Sequence, residues 1–245
     1  MTRTYDLEAK DHPDRQYNYA FDYLMHRFML RTFAPFQKTG TALELGCFHG
    51  NFTKLLCEQF DDVEVVEASA ECIGIATAAC GGKARFNLST FENFTPTRQF
   101  DNIFLVHTLE HLDDPVAVLR QISGWLAPGG RLFVATPNAH AGSRQIAVLM
   151  GLISHNAAVT PAEEAHGHRV TYSLDTLGAD VRAAGLAPLT HGGIFFKGLA
   201  NFQLDAARAA DIISAEYMEG CYQLGRSYPD LCSSIFLLCE RGRPT

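Results

Sequence analysis

Glu44-Leu45-Gly46-Cys47-Phe48-His49-Gly50 joins a short apolar run, 41–45, to a segment, 51–60, in which Phe52, Leu55 and Leu56 share one helical face. An apolar strand that turns through glycines directly into a helix opens a βαβ unit. Glycines at the turn let the backbone reverse sharply and let a ligand approach the main chain. The helix that follows presents unpaired N–H groups to an anion. A second apolar run, 63–66, ends at Glu67, 21 residues after Gly46. An acid at the carboxyl end of the second strand is placed to accept hydrogen bonds from two ribose hydroxyls. The competing reading of the turn alone is a tight strand-to-helix connection with no ligand. A dinucleotide needs small residues where its pyrophosphate packs on the backbone, and Phe48 stands where a middle glycine would be. A nucleoside without phosphates fits better.

Working outward from this turn, strand patterns at 84–88, 102–106 and 131–135 alternate with helical patterns at 70–79 and 115–126. A helix over 16–36 precedes them, with Tyr19, Phe21, Leu24, Phe28 and Leu30 at helical spacing and Pro35 closing it. Such alternation predicts an α/β domain, a parallel sheet covered on both faces. The 102–106 run is apolar nearly throughout, as a buried parallel strand should be. Past Pro137 the regularity weakens into a long mixed connection, 139–172, of the kind that serves as a lid. A helix at 174–184, a strand at 186–196, one helix at 205–218 and a last strand at 234–239 complete the chain. No Pro/Gly/Ser-rich linker interrupts it. The sequence therefore predicts a single domain over 1–245: an N-terminal helical lid (1–37), a ligand-binding core (38–140), and a connection with C-terminal strands (141–245).

Composition narrows the function. The 245 residues are 47% hydrophobic and 19% charged, enough for one full core. A net charge of −7 with no run of Lys or Arg argues against a nucleic-acid partner. No apolar run is long enough to span a bilayer, and the polar residues 1–14 do not read as a secretory signal. Seven cysteines, an odd number without a C-x-x-C pair, predict buried free thiols in a reducing cytosol rather than disulfides or structural zinc. The expected localisation is therefore cytoplasmic.

Four stretches together resemble the class I methyltransferases that use S-adenosylmethionine. They are Glu44 through Gly50; Val65-Val66-Glu67-Ala68-Ser69; Phe100-Asp101-Asn102-Ile103 through Leu109-Glu110-His111; and Trp125-Leu126-Ala127-Pro128-Gly129-Gly130-Arg131-Leu132. Their order and spacing match over roughly 38–140, and the nearest likeness is to small-molecule methyltransferases of bacterial biosynthetic clusters. The resemblance implies a Rossmann-like, seven-stranded, mostly parallel sheet with helices on both faces, an antiparallel last strand and a lid or insertion after the fifth strand. It implies S-adenosylmethionine as cofactor, with S-adenosylhomocysteine as product. It further implies that Glu44, Gly46, Cys47, Phe48 and Gly50 surround the methionine part, that Glu67 holds the ribose with Ala68 beside the adenine and Ser69 following in the cofactor site, that Thr90, Phe91 and Glu92 meet the adenine, and that His107 lies near the sulfonium. The implied reaction is methyl transfer to an oxygen or nitrogen of a small-molecule acceptor, with a homodimer left open.

The acceptor end is read from residue chemistry. His166, His168, Arg169 and Tyr172 fall together in the long connection, with His140 and Arg144 just past Pro137. Imidazoles remove protons near neutral pH, and guanidinium groups bind acids. His107, His111, His166 and His168 are thus the catalytic candidates; Tyr19, His140, Arg144, Arg169 and Tyr172 are the substrate-binding ones. The competing reading of the connection is a solvated loop. Tyr17 and Tyr19 can cover the cleft or pack in a helix. Phe195, Phe196, Phe202 and Tyr222 read as core. His107-Thr108-Leu109-Glu110-His111 spells H-x-x-E-H, an inverted zinc-protease pattern, but it opens a helix directly after a buried strand and no clear third ligand follows, so no metal is expected. Two alternatives to a methyltransferase are an NAD-dependent oxidoreductase and a nucleoside-binding module without catalysis.

Overall fold

The computed structural model describes residues 5–8 and 19–242. A seven-stranded sheet has the order β3-β2-β1-β4-β5-β7-β6. Its strands are β1 (Ala42–Leu45), β2 (Val63–Glu67), β3 (Ala84–Leu88), β4 (Phe100–Val106), β5 (Leu126–Pro137), β6 (Leu186–Phe196) and β7 (Cys232–Arg241). Strands β1 to β5 pair in parallel, while β7 lies antiparallel to both β5 and β6. The order reverses between β1 and β4, where open α/β sheets bind ligands beyond the carboxyl ends of their strands. The Rossmann-like sheet and antiparallel last strand implied by the resemblance are therefore present.

The helices are α1 (Tyr5–Glu8), α2 (Ala20–Phe33), α3 (Asn51–Leu56), α4 (Ala70–Cys80), α5 (Pro115–Trp125), α6 (Gly142–Leu149), α7 (Pro161–Ala165), α8 (Leu174–Ala183), α9 (Asn201–Ala209) and α10 (Ala215–Gly225). Alternation along β4 explains the two cores. Phe104 and Val106 join the cluster under α2 and α3, whereas Ile103 and Leu105 join the one under α5 and α8. In the first cluster Phe133 stacks on Phe104 with centroids 4.8 Å apart, and Phe33 packs tilted on Phe133 at 5.1 Å. Each such buried ring contributes about 2–3 kcal/mol.

The structure corrects two element boundaries. The helix expected over 205–218 is two helices, because the chain breaks at Asp211 (φ +54°) and restarts with Ser214 capping α10. The helix expected over 16–36 runs from Ala20 to Phe33 and tightens into a 3₁₀ turn at Pro35; Tyr17 lies outside the described residues. The seven cysteines are free thiols, five of them buried.

Candidate active site

A cleft of about 660 Å³ opens at the carboxyl edge of the sheet. One wall is the β1–α3 turn. Gly46 has φ +80°, and a Cβ there would lie 2.7 Å from Thr108, so only glycine fits. Phe48 adopts φ +49°, the left-handed conformation a glycine takes without strain. Phenylalanine accepts about 1–2 kcal/mol of strain to keep the same turn, and its ring stacks on His49 at 3.6 Å. Gly50, expected beside the methionine part, is not on the cleft surface. It precedes α3 at φ +80°, and a Cβ would lie 2.8 Å from the backbone of Ala76, so it lets α3 pack against α4.

The other residues expected on this wall line the cleft: Glu44, Gly46, Cys47, Phe48, Glu67, Ala68, Ser69, Thr90, Phe91, Glu92 and His107. Glu67 accepts from the N–H groups of Cys47 (3.1 Å) and Phe48 (3.2 Å) with one carboxylate oxygen, and of Ala68 (2.8 Å) and Ser69 (3.0 Å) with the other. It thus ties the two ligand loops together from the strand end between them. Glu44 is buried, and burial pushes its carboxyl up to about 8. Phe48 lines this wall where a pyrophosphate would pack against the backbone. The residues present fit a phosphate-free nucleoside: an acid, Glu67, at the ribose position, and Phe91 beyond β3.

His107 directly follows β4, at φ +49°. The unusual backbone turns its ring so that Nε2 sits 2.8 Å from Ser234 Oγ on β7. Burial lowers its pKa to about 3 and that of His26, on α2, to about 4, so both stay neutral near pH 7. The H-x-x-E-H stretch is therefore a strand end followed by a 3₁₀ turn, Leu109–His111, not a helix. His107 and His111 do not share a helical face.

The long connection divides the remaining expectations. His111, His166 and His168 line the cleft, as do Tyr19 and Arg144. Arg144 is engaged internally: it pairs with Glu163 at 2.8 Å and donates to the carbonyls of Asn156 and Ala158. It joins α6 to α7 and has little capacity left for an acceptor. His140 is exposed and outside the cleft, its backbone held by Asn138 and Gln145. Arg169 is exposed and pairs with Asp113 (3.2 Å) and Glu8 (3.7 Å). Tyr172 is buried; its hydroxyl donates to Asp180 at 2.9 Å, and its carbonyl receives the Ala139 N–H at 2.7 Å, closing the base of the connection. His140, Arg169 and Tyr172 thus do not line the cleft, because spacing along a loop carries no information about which way it folds back.

The structure adds cleft residues that the sequence reading passed over: His26, Asp22, Asn51, Lys197 and Asn201. Lys197 Nζ contacts Asn201 Oδ1 at 2.5 Å and sits 5.3 Å from the Phe21 ring centre. Its signal was available, since Lys197 directly follows a strand ending at the ligand edge. His26 gave none, being one polar position on an amphipathic helix.

The family profile described as a methyltransferase domain matches residues 15–191. Trans-aconitate 2-methyltransferase of Methylobacterium radiotolerans is 35% identical over 106 residues, 42% of this chain and 40% of that protein. A ubiquinone biosynthesis O-methyltransferase of Aeromonas salmonicida is 26% identical over 61% of this chain and 68% of its own length. The chain thus spans about two fifths of the first relative and two thirds of the second. Among solved structures, the N-methyltransferase NodS of Bradyrhizobium japonicum in complex with S-adenosylhomocysteine shares the fold with a TM-score of 0.59 at 16% identity, covering 97% of this chain and 96% of NodS. A SAM-dependent methyltransferase of Thermotoga maritima does so with a TM-score of 0.63 at 19% identity, covering 89% and 92%. With the glycine turn, Glu67 and the strand reversal in place, this chain belongs to the class I S-adenosylmethionine-dependent methyltransferases.

Proposed function

We propose that this methyltransferase transfers the methyl group of S-adenosylmethionine to an oxygen or nitrogen atom of a small-molecule acceptor, as a cytoplasmic step in a biosynthetic pathway. The observation that carries this reading is the continuation of the cleft beyond the cofactor wall. There it is lined by Tyr19, Asp22, His26, His107, Lys197 and Asn201. A cleft of this size suits a cofactor with a small partner. The names of the relatives point the same way, trans-aconitate and a ubiquinone precursor pathway being the chemistry of those proteins. No helix among the described residues is long and apolar enough to cross a membrane.

When bound, the cofactor supplies an electrophilic methyl group. The chain's own residues hold the acceptor in line with that carbon and keep water out. Glu67, Ala68, Ser69, Thr90, Phe91 and Glu92 would hold the nucleoside, and Glu44, Gly46, Cys47 and Phe48 the methionine end. His26 and His107, kept neutral, retain lone pairs that accept a hydrogen bond from an acceptor hydroxyl or amine. His166, His111 and His168 close the side of the cleft toward the long connection.

The test is methyl transfer from labelled S-adenosylmethionine to a panel of carboxylate, phenol and amine acceptors. With a working acceptor, His26→Ala is expected to lower kcat about 100-fold while leaving S-adenosylhomocysteine affinity unchanged. An unchanged kcat removes His26 from the reaction. Absence of transfer to any acceptor, with tight S-adenosylhomocysteine binding, favours a nucleoside-binding module.

A further inference from the structure

We propose that Glu110, His111 and His168 form a site for one divalent transition ion, zinc or a close neighbour of it, on the side wall of the cleft. One ligand atom from each of the three lies within 4.8 Å of the others. The expectation of no metal rested on the lack of a third ligand after the H-x-x-E-H stretch. Folding supplies it from the long connection, 57 residues beyond His111.

The second observation is Glu110 itself. It is 1% exposed, lines the cleft, and neither of its carboxylate oxygens has a hydrogen-bond partner among the described residues. A buried carboxyl without donors needs a proton or a cation. The two imidazoles beside it face each other nearly edge-on, with ring centres 4.5 Å apart and planes at 70°.

The scaffold holds these groups from two distant segments. His111 and Glu110 sit on the rigid 3₁₀ turn after β4. His168 is fixed by its N–H to the Glu163 carbonyl (3.0 Å), and the next N–H, of Arg169, bonds the Glu110 carbonyl at 2.8 Å. Gly167, next to His168, lets this segment approach His111: a Cβ there would lie 3.3 Å from His111 Nδ1 and 2.5 Å from Glu8 Oε2. Two imidazoles and one carboxylate match the donor set of mononuclear zinc sites that retain an open fourth position, and of non-haem iron sites. Tetrahedral zinc places its ligand atoms about 3.4 Å apart, so small side-chain rotations complete the site. His107 is not a ligand, because its Nε2 is taken up by Ser234.

The ion's open position faces the cleft and would anchor an oxygen of the acceptor, lowering the pKa of a hydroxyl there. This last role rests on the proposed methyl transfer; the metal site itself does not.

The experiment uses the full-length protein stripped with chelator and titrated calorimetrically with Zn²⁺ and with Co²⁺. One ion per chain with micromolar or tighter affinity is expected. His168→Ala and the isosteric Glu110→Gln should each weaken binding at least 100-fold, with melting curves confirming folded variants. If His168→Ala does not fold, Glu110→Gln decides. The bound Co²⁺ should show ligand-field bands without thiolate charge transfer, which excludes the cysteines. No stoichiometric uptake, uptake that Glu110→Gln retains in full, or a thiolate band overturns the site. Titrating S-adenosylhomocysteine into the wild-type protein separates the two readings. Nucleoside binding without zinc uptake removes only the metal site, and zinc uptake without nucleoside binding removes only the cofactor reading.

Discussion

On the β1–β3 side of the cleft, the groups that face a ligand are held by main chain. Glu67 clamps four N–H groups from the two loops on either side of it, and the turn is set by backbone angles at Gly46 and Phe48. On the β4–β7 side, the ligand-facing groups are side chains from α2, the 3₁₀ turn, the long connection and the end of β6. In the proposed reading the first wall binds a constant cofactor, and main-chain hydrogen bonds keep such a site unchanged. In the same reading the second meets the acceptor, and side chains can be exchanged without disturbing the sheet. The same division explains why one fold serves many acceptors.

The largest effect expected from this contrast is a two-sided pH dependence of stability. Glu44, on the cofactor wall, has its pKa raised from 4.5 to about 8 by burial. The folded state therefore holds its proton more tightly than the unfolded state. The stabilisation is complete below about pH 4.5 and is lost as pH rises toward 8, amounting to about 3 kcal/mol by pH 7. His26, on the acceptor wall, has its pKa lowered from 6.5 to about 4 by burial. Its neutral form is favoured on folding, so stability is lost as pH falls from 6.5 toward 4. Thermal melts across pH 4–9 are expected to show Glu44→Gln flattening the alkaline limb and His26→Gln the acid limb. Both variants flattening the same limb would break the contrast.

Next in size is Glu67→Ala. It removes a charged acceptor from four N–H groups and should weaken S-adenosylhomocysteine by roughly 2–3 kcal/mol, read by calorimetry. Unchanged affinity would show that the turn holds its shape without the clamp. Arg144→Ala tests the other wall. Its pair with Glu163 is largely buried, with side chains 12% and 15% exposed, so breaking it should cost about 2 kcal/mol and lower the melting temperature by about 5 °C. Cofactor affinity should not change; a parallel loss would mean that the two walls are one unit. The smallest effect is expected from His140→Ala, an exposed position outside the cleft, where a change within about 0.5 kcal/mol in stability and no change in KM would confirm that it does not touch the acceptor.

Residues adjacent in sequence were the legible ones. The glycine turn, Glu67 and the segment 89–92 lie at successive strand ends, and any parallel sheet with this alternation gathers strand ends at one edge. Chain order alone therefore determined the α/β fold, the cofactor wall and the place of His107. What only the tertiary structure decided is the direction in which the 139–172 connection returns. It buried Tyr172 against Asp180, turned His140 and Arg169 outward, spent Arg144 on Glu163, and brought His168 against His111 and Glu110. A loop has no repeating hydrogen-bond pattern to fix which side chains face inward. Packing against distant elements fixes them instead, so His26 on α2 and Lys197 after β6 meet His107 in one cleft although nothing in their local sequence links them.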